Sequence, residues 1–297
     1  MAALKTVTLS DGTVLPALGQ GTWFVGDDPW RRDAEIATLR EGIDLGLTLV
    51  DTAEMYGDGR SEDLVGEAIA PVRDRVYLVD KVLPCNASRR GAVQACERSL
   101  EVLGTDWIDL YLLHWPGSHP VEETVEGFEE LIRRGLIGAW GISNFDADAL
   151  GRFPNAPAVN QVLYNPSRRG PEFDLFPAQA RLSSPVQTMA YSPIEQGRLL
   201  HDPTLGGIAE ERGVSVAQVL LAWAIRSGDV IAIRRRPLSS MSVTMRPPPV
   251  WSSVPPNWAA STPRSRRPPA RFRWRCCEGA GFADAVTACR RTLRSCS

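Results

Sequence analysis

Asp51, Tyr56, Lys81 and His114 are residue types that together can move a proton. A phenol is a weak acid, with a reference pKa of about 10. It becomes a usable proton donor at neutral pH only beside a cation or another strong perturber. Lys81 supplies a cation. It stands inside an apolar stretch, Leu78-Val79-Asp80-Lys81-Val82, where an ammonium is costly unless paired. Asp51, closing the preceding apolar run, is the obvious partner, and this pair beside Tyr56 is expected to lower the phenol's pKa. His114, in Leu112-Leu113-His114-Trp115, can hydrogen-bond a substrate oxygen or help relay the proton. The set suits proton delivery to a carbonyl oxygen while hydride reaches its carbon. Each residue alone has a plainer reading: Asp51 as a turn cap, Lys81 as a snorkelling edge residue, His114 as a bonded core histidine, Tyr56 as a loop aromatic. Their joint placement on consecutive strand ends favours chemistry.

The elements that must position them alternate. A hairpin over 7–15 turns at Ser10-Asp11-Gly12. Strands are expected at 18–23, 45–51, 76–82, 108–113, 137–142, 158–162, 186–191 and 230–233. Helices are expected at 32–45, 61–69, 88–103, 121–134, 147–152, 172–181, 204–212 and 215–226. Ser61 opens the second helix as cap, and Ser88 the third. Regular alternation argues for parallel βα units with helices outside, and eight strands is the number that closes an α/β (β/α)8 TIM barrel. The alternative, an open doubly wound sheet, lacks a G-x-G-x-x-G after its first strand. In a barrel, chemistry sits where these strands end, on the βα loops.

A length of 297 residues suits one such domain, and 23% charged residues with a net charge of −2 give no reason to expect a nucleic-acid or membrane surface. No apolar run approaches the roughly 18 residues that span a bilayer, and no signal-peptide pattern is visible, so a cytoplasmic monomer is expected. Cys85 and Cys96 stand alone in the main body. Cys276, Cys277, Cys289 and Cys296 crowd the tail without a C-x-x-C, so neither a disulfide framework nor a metal site is expected.

The stretches Asp51-Thr52-Ala53-Glu54-Met55-Tyr56-Gly57, Leu112-Leu113-His114-Trp115-Pro116, Gly141-Ile142-Ser143-Asn144-Phe145, Asn160-Gln161 and Ala190-Tyr191-Ser192-Pro193 resemble, in order, those of the aldo-keto reductases. These are (β/α)8 barrels that reduce carbonyls with NADPH. The resemblance covers residues 5–233 and extends to bacterial aldehyde, diketogluconate and methylglyoxal reductases. It implies a catalytic tetrad of Asp51, Tyr56, Lys81 and His114, with Tyr56 as general acid in reduction. It implies that Ser143, Asn144 and Gln161 hold the nicotinamide carboxamide and that Tyr191 stacks on the ring. Ser192, Gly197 and Leu199 then belong to a segment folded over the pyrophosphate. Trp23, Met55 and Trp115 are expected in the wall of a pocket for a small carbonyl substrate.

Beyond residue 233 the chain changes character. Arg234-Arg235-Arg236 is followed by proline- and arginine-rich sequence without helical or strand period, expected to be disordered. The family's nucleotide-end pattern does not appear there. A one-base frame slip is the sharper reading, since a shifted frame can turn 238–247 and 257–268 into helix-like sequence. A basic linker is the blander one. On either reading the domain is expected over 1–233 without its eighth outer helix, poorly soluble and weak for NADPH. Two other functions stay open at this stage: a nucleotide-binding regulatory barrel, and an inactive product of a damaged gene.

Overall fold

A short antiparallel hairpin, β1 (Thr6–Thr8) and β2 (Val14–Pro16), begins the chain. Its turn needs Gly12 at φ 89°, a conformation that costs glycine little. Eight parallel strands follow: β3 (Leu18–Gly21), β4 (Leu49–Asp51), β5 (Tyr77–Val82), β6 (Ile108–Leu113), β7 (Ile137–Ser143), β8 (Val159–Leu163), β9 (Gln187–Tyr191) and β10 (Val230–Arg235). β10 pairs with both β9 and β3, so the sheet closes into a barrel. The computed structural model describes residues 4–235. The expected barrel is therefore complete in its strands, and the last strand takes in Arg234 and Arg235, two residues beyond the domain boundary read from sequence. The remainder of the tail, with its arginine and proline runs, lies outside the described residues.

The helices between strands are α1 (Arg32–Asp44), α2 (Arg60–Ile69), α3 (Arg89–Leu103), α4 (Val121–Arg133), α5 (Ala147–Leu150), α6 (Leu175–Ala180), α7 (Pro203–Arg212) and α8 (Val216–Ala224). Ser88 caps α3 as expected, accepting from the Gly91 N–H. Ser61 does not cap α2. That helix starts one residue earlier, after Gly59 at φ 88°, and the Ser61 hydroxyl instead donates inside the core to Thr22. The helix expected over 172–181 is shorter. A 3-10 turn occupies Gly170–Glu172, and Asp174 restarts the chain by accepting from the Leu175 N–H.

Strand alternation sorts the core into two layers. Leu78, Val82, Tyr111 and Ile142 face the helices, with Leu64, Val65, Cys96 and Phe128. Leu49, Val79, Leu110, Leu112, Val159, Met189 and Ile231 fill the barrel, and the hairpin's Val7, Leu9 and Leu15 join this inner group. Gly19 and Gly141 make room in it. A Cβ on Gly19 would lie 2.5 Å from Leu49 and one on Gly141 2.7 Å from Leu112. Small and large side chains thus interleave at these positions.

Candidate active site

The register explains why four distant residues meet. Asp51 lies opposite Val79, Lys81 opposite Leu112, and Ser143 opposite Gln161. Lys81 is two residues beyond Val79, and His114 two beyond Leu112. Each step of two keeps the side chain on the inner face, so the polar residues form one layer above the apolar filling. That layer sits at the C-terminal mouth.

Lys81 is fully buried, and all three of its ammonium donors are committed. They reach Asp51 Oδ2 at 2.8 Å, the Thr52 carbonyl at 2.7 Å and the Tyr56 hydroxyl oxygen at 3.4 Å. Burial alone would push the Lys81 pKa down. The charge of Asp51, together with Tyr56, the Asp51 hydrogen bond and the charge of Asp80, more than offsets it, and the pKa is raised. Asp51 is held from its other side by Gln161, whose Nε2 donates to Oδ1 at 2.8 Å. Tyr56 is aimed by a turn in which its N–H bonds the Ala53 carbonyl, and Gly57, Asp58 and Gly59 all have positive φ. An ion pair of Arg60 with Asp27 at 3.0 Å ties this turn to the loop after β3.

The phenol corrects the expectation drawn from sequence. Burial raises the Tyr56 pKa above 10 by more than Lys81 lowers it, and the charge of Asp51 works in the same direction as burial. Tyr56 therefore stays protonated at neutral pH. Its oxygen accepts from Lys81, and an ammonium has no acceptor, so the phenolic proton is left to point elsewhere. His114 packs edge-on against it, ring centroids 5.7 Å apart. Burial, then the nearby Lys81 charge, holds the His114 pKa well below its usual value, so the ring is neutral. Its Nδ1 has no partner among the described residues.

The residues expected to hold nicotinamide form a chain. The Ser143 hydroxyl donates to the Gln161 carbonyl, while Asn144 donates to Ser143 Oγ and to the His114 carbonyl. Asn144 Oδ1 in turn accepts from the Tyr191 hydroxyl at 3.0 Å. Asn144 sits at φ 67° and Ser192 at φ 51°, so the backbone is strained on both sides of this ring. Ser192, Gly197 and Leu199 lie in the segment after β9, where Gly197 has φ 92°. This segment is anchored by the buried Glu195, which accepts from Asn165 at 2.6 Å and from Arg168 at 3.0 Å. Sequence reasoning missed this anchor and the Gln161–Asp51 bond. Neither leaves a local signal, because the partners are 27 to 110 residues apart. Trp23 stacks on Phe24 at 4.3 Å, Trp115 tilts against His114 at 4.7 Å, and Met55 directly precedes Tyr56. All three are half-buried.

Among the described residues, no group of three or more His, Cys, Asp or Glu is placed to hold a metal, and no helix is long and apolar enough to cross a membrane. The model of the Aldo/keto reductase family matches residues 17–244. Methylglyoxal reductase YeaE of Escherichia coli (strain K12) is 51% identical over 239 residues, covering 77% of this chain and 84% of that protein. A crystal structure of an aldo/keto reductase from Klebsiella pneumoniae in complex with NADP and acetate superposes with a TM-score of 0.83 at 40% identity, covering 91% and 98% of the two chains. A second aldo-keto reductase structure from that organism, in complex with NADPH, gives 0.82 at 41%, covering 91% and 97%. On sequence, barrel and polar mouth alike, this chain belongs to the aldo/keto reductase family.

Proposed function

We propose that the protein reduces aldehydes or ketones to alcohols, with NADPH as hydride donor and Tyr56 as proton donor. The observation that carries this reading is the arrangement around Lys81. One buried ammonium is satisfied by Asp51, Thr52 and Tyr56, leaving a protonated phenol with its hydrogen directed away from the pair. A carbonyl oxygen that gains negative charge during reduction is the natural acceptor for that hydrogen. Neutral His114 hydrogen-bonds the same oxygen and orients the carbonyl. Asp51, held by Gln161, keeps Lys81 charged and in place.

The residues present fit a nicotinamide. Gln161 commits its Nε2 to Asp51, and its Oε1 accepts nothing among the described residues. Ser143, Asn144 and Gln161 thus offer a hydroxyl and two amides to a carboxamide, and Tyr191, tethered through its hydroxyl to Asn144, offers a ring face. NADPH, when bound, supplies the hydride. Ser192, Gly197 and Leu199, on the strained segment anchored by Glu195, would lie along the dinucleotide. Trp23, Met55 and Trp115 wall the substrate side. The similarity to a methylglyoxal reductase supports a small 2-oxoaldehyde as substrate. We place the protein in the cytoplasm as a monomer, and its net charge of −2 gives no basic excess for a nucleic-acid partner. We place the functional domain at the barrel, with the arginine- and proline-rich remainder outside it.

The test is NADPH oxidation with methylglyoxal by wild type and by Tyr56→Phe. General acid catalysis contributes roughly 10²–10⁴-fold, so the variant is expected to lose at least 100-fold in kcat while NADPH binding, followed by fluorescence, is kept. Turnover within tenfold of wild type would refute the assignment.

A further inference from the structure

Where β4 leaves the sheet, a side chain takes over its hydrogen bonding to β5. The ladder runs past Asp51: the Thr52 N–H donates to the Val79 carbonyl at 2.8 Å and the Glu54 N–H to the Lys81 carbonyl at 3.3 Å. The next rung of a parallel ladder would take the Leu83 N–H to the Glu54 carbonyl. That N–H donates instead to the Glu54 carboxylate, at Oε1. Asn86 Nδ2 donates to the same carboxylate, at 3.1 Å to Oε1 and 3.2 Å to Oε2. The Glu54 side chain is 14% exposed, and Arg98 reaches it only loosely, at 4.0 Å. Hydrogen bonds to a carboxylate are about twice as strong as neutral ones. With the rung closed by the side chain, the Glu54 backbone can turn, and two residues later the Tyr56 ring comes back over Lys81, 5.1 Å from Nζ to the ring centroid.

The loop that Glu54 grips is itself fixed. Its Pro84 is buried against Gly117, in the loop after His114, where an added Cβ would lie 2.5 Å from Pro84 Cβ. Its Ala87 carbonyl accepts from the Thr124 hydroxyl on α4 at 2.6 Å. The turn that carries Tyr56 has weaker holds of its own. The bond from Lys81 to the phenolic oxygen is long, 3.4 Å. On the far side of the turn, the pair of Arg60 with Asp27 has side-chain exposures of 54% and 35%, and pairs so open to water contribute little.

We propose that Glu54 is a positioning residue for the reduction: by fastening the Tyr56 turn to the loop of residues 83–86, it fixes where the phenolic oxygen stands relative to Lys81 and His114. This rests on the reading of Tyr56 as proton donor. Glu54 acts through Tyr56 rather than on the substrate. The loops after β4, β5 and β6 are joined in series, Glu54 to Leu83 and Asn86, then Pro84 to Gly117, and they carry or adjoin Tyr56, Lys81 and His114. An ångström of drift in a reacting group can cost about 100-fold in rate. A phenol held by one long hydrogen bond has room for that drift once the rung to Leu83 is cut.

The test is a double-mutant cycle in the full-length protein, read by methylglyoxal reduction with NADPH. Glu54→Ala is expected to lose about 100-fold in kcat with little change in KM or in NADPH affinity, the pattern of an interaction made only in the transition state. Glu54→Gln keeps an oxygen where Oε1 accepts both donors, and is expected to recover most of that loss. In a Tyr56→Phe background no phenolic oxygen remains to be placed, so adding Glu54→Ala is expected to cost less than about threefold. A general structural role would cost as much in either background. Should Glu54→Ala fail to fold, Asn86→Ala, which spares the Leu83 rung, takes its place in the same cycle with an expected loss of about tenfold. Equal losses in the two backgrounds, a single variant within about threefold of wild type, or a Glu54→Gln no better than Glu54→Ala would overturn the positioning role with the reductase reading intact. A fully active Tyr56→Phe would instead overturn the reading on which that role rests.

Discussion

Replacing Asp51 with asparagine keeps the shape of the site and removes the charge that Lys81 is buried against. The two side chains are 2.8 Å apart, with side-chain exposures of 0% and 4%, so water screens almost none of the interaction. Asp51 also accepts from Gln161 at 2.8 Å. Hydrogen bonds to a charged group contribute about 1.5–3 kcal/mol each, and breaking a buried pair from one side costs about 3–5 kcal/mol. We expect Asp51→Asn to lose about 4 kcal/mol. That is a large part of the roughly 5–15 kcal/mol a domain has, and at about 2–4 °C per kcal/mol it lowers Tm by about 8–16 °C. The pH dependence carries a sign. In wild type the raised Lys81 pKa gives stability that is lost only as pH rises through that value. In the variant, burial without a counter-charge depresses Lys81, so stability should rise with pH below the unfolded lysine value of about 10.4. Adding Lys81→Met removes the stranded cation and should recover most of the loss without restoring turnover. Circular-dichroism melts and urea titrations of wild type and the two variants measure this. A single variant within about 1 kcal/mol of wild type, or a double variant no more stable than the single, would refute the account.

His114 is neutral when folded, its pKa held well below the usual 6.5 or so. Its contribution is present above pH 6.5 and lost as pH falls towards the folded value, so His114→Gln should flatten the acid side of a stability–pH curve, and an unchanged slope would count against it. Gly66 on α2 has the Leu103 carbonyl oxygen 2.3 Å from where a Cβ would lie. Gly66→Ala gains about 1 kcal/mol of helix propensity, yet we expect net destabilisation because the helices must part, at about 1–3 kcal/mol or more; a raised Tm would refute the close packing of α2 on α3. Glu195→Ala removes the carboxylate that accepts from Asn165 and Arg168, and should speed NADPH release about tenfold in stopped-flow fluorescence, a loss of about 1.4 kcal/mol in binding; an unchanged off-rate would detach this anchor from the nucleotide.

What could be read from the chain follows from period and position. Inner-face residues at i and i+2, such as Val79 and Lys81, gave the barrel and its polar mouth, because alternation is local. Interactions that depend on what lies across the barrel were not legible. Gln161 was assigned to the nicotinamide, yet it first holds Asp51, 110 residues away. Ser61 looked like a helix cap because serine before acidic residues usually is, but the core needed its hydroxyl for Thr22. The acidity of Tyr56 was misjudged for a related reason. A sequence shows that Lys81 is near, but not how much water the fold removes from the phenol.

Closure of the barrel also sets an order of events for chain synthesis. β10 reaches its partner only by bringing Ala232 beside Leu18 and donating the Ala232 N–H to the Ala17 carbonyl at 2.8 Å, a pairing across more than two hundred residues. Such non-local contacts form slowly, since the chain must be ordered before they return anything. While the chain emerges from the ribosome, β3 and β9 stay open strand edges until residue 235 is available, and open edges invite pairing with other chains. The time for which the two ends of the sheet wait for each other is thus a kinetic exposure separate from the chemistry at the barrel's mouth.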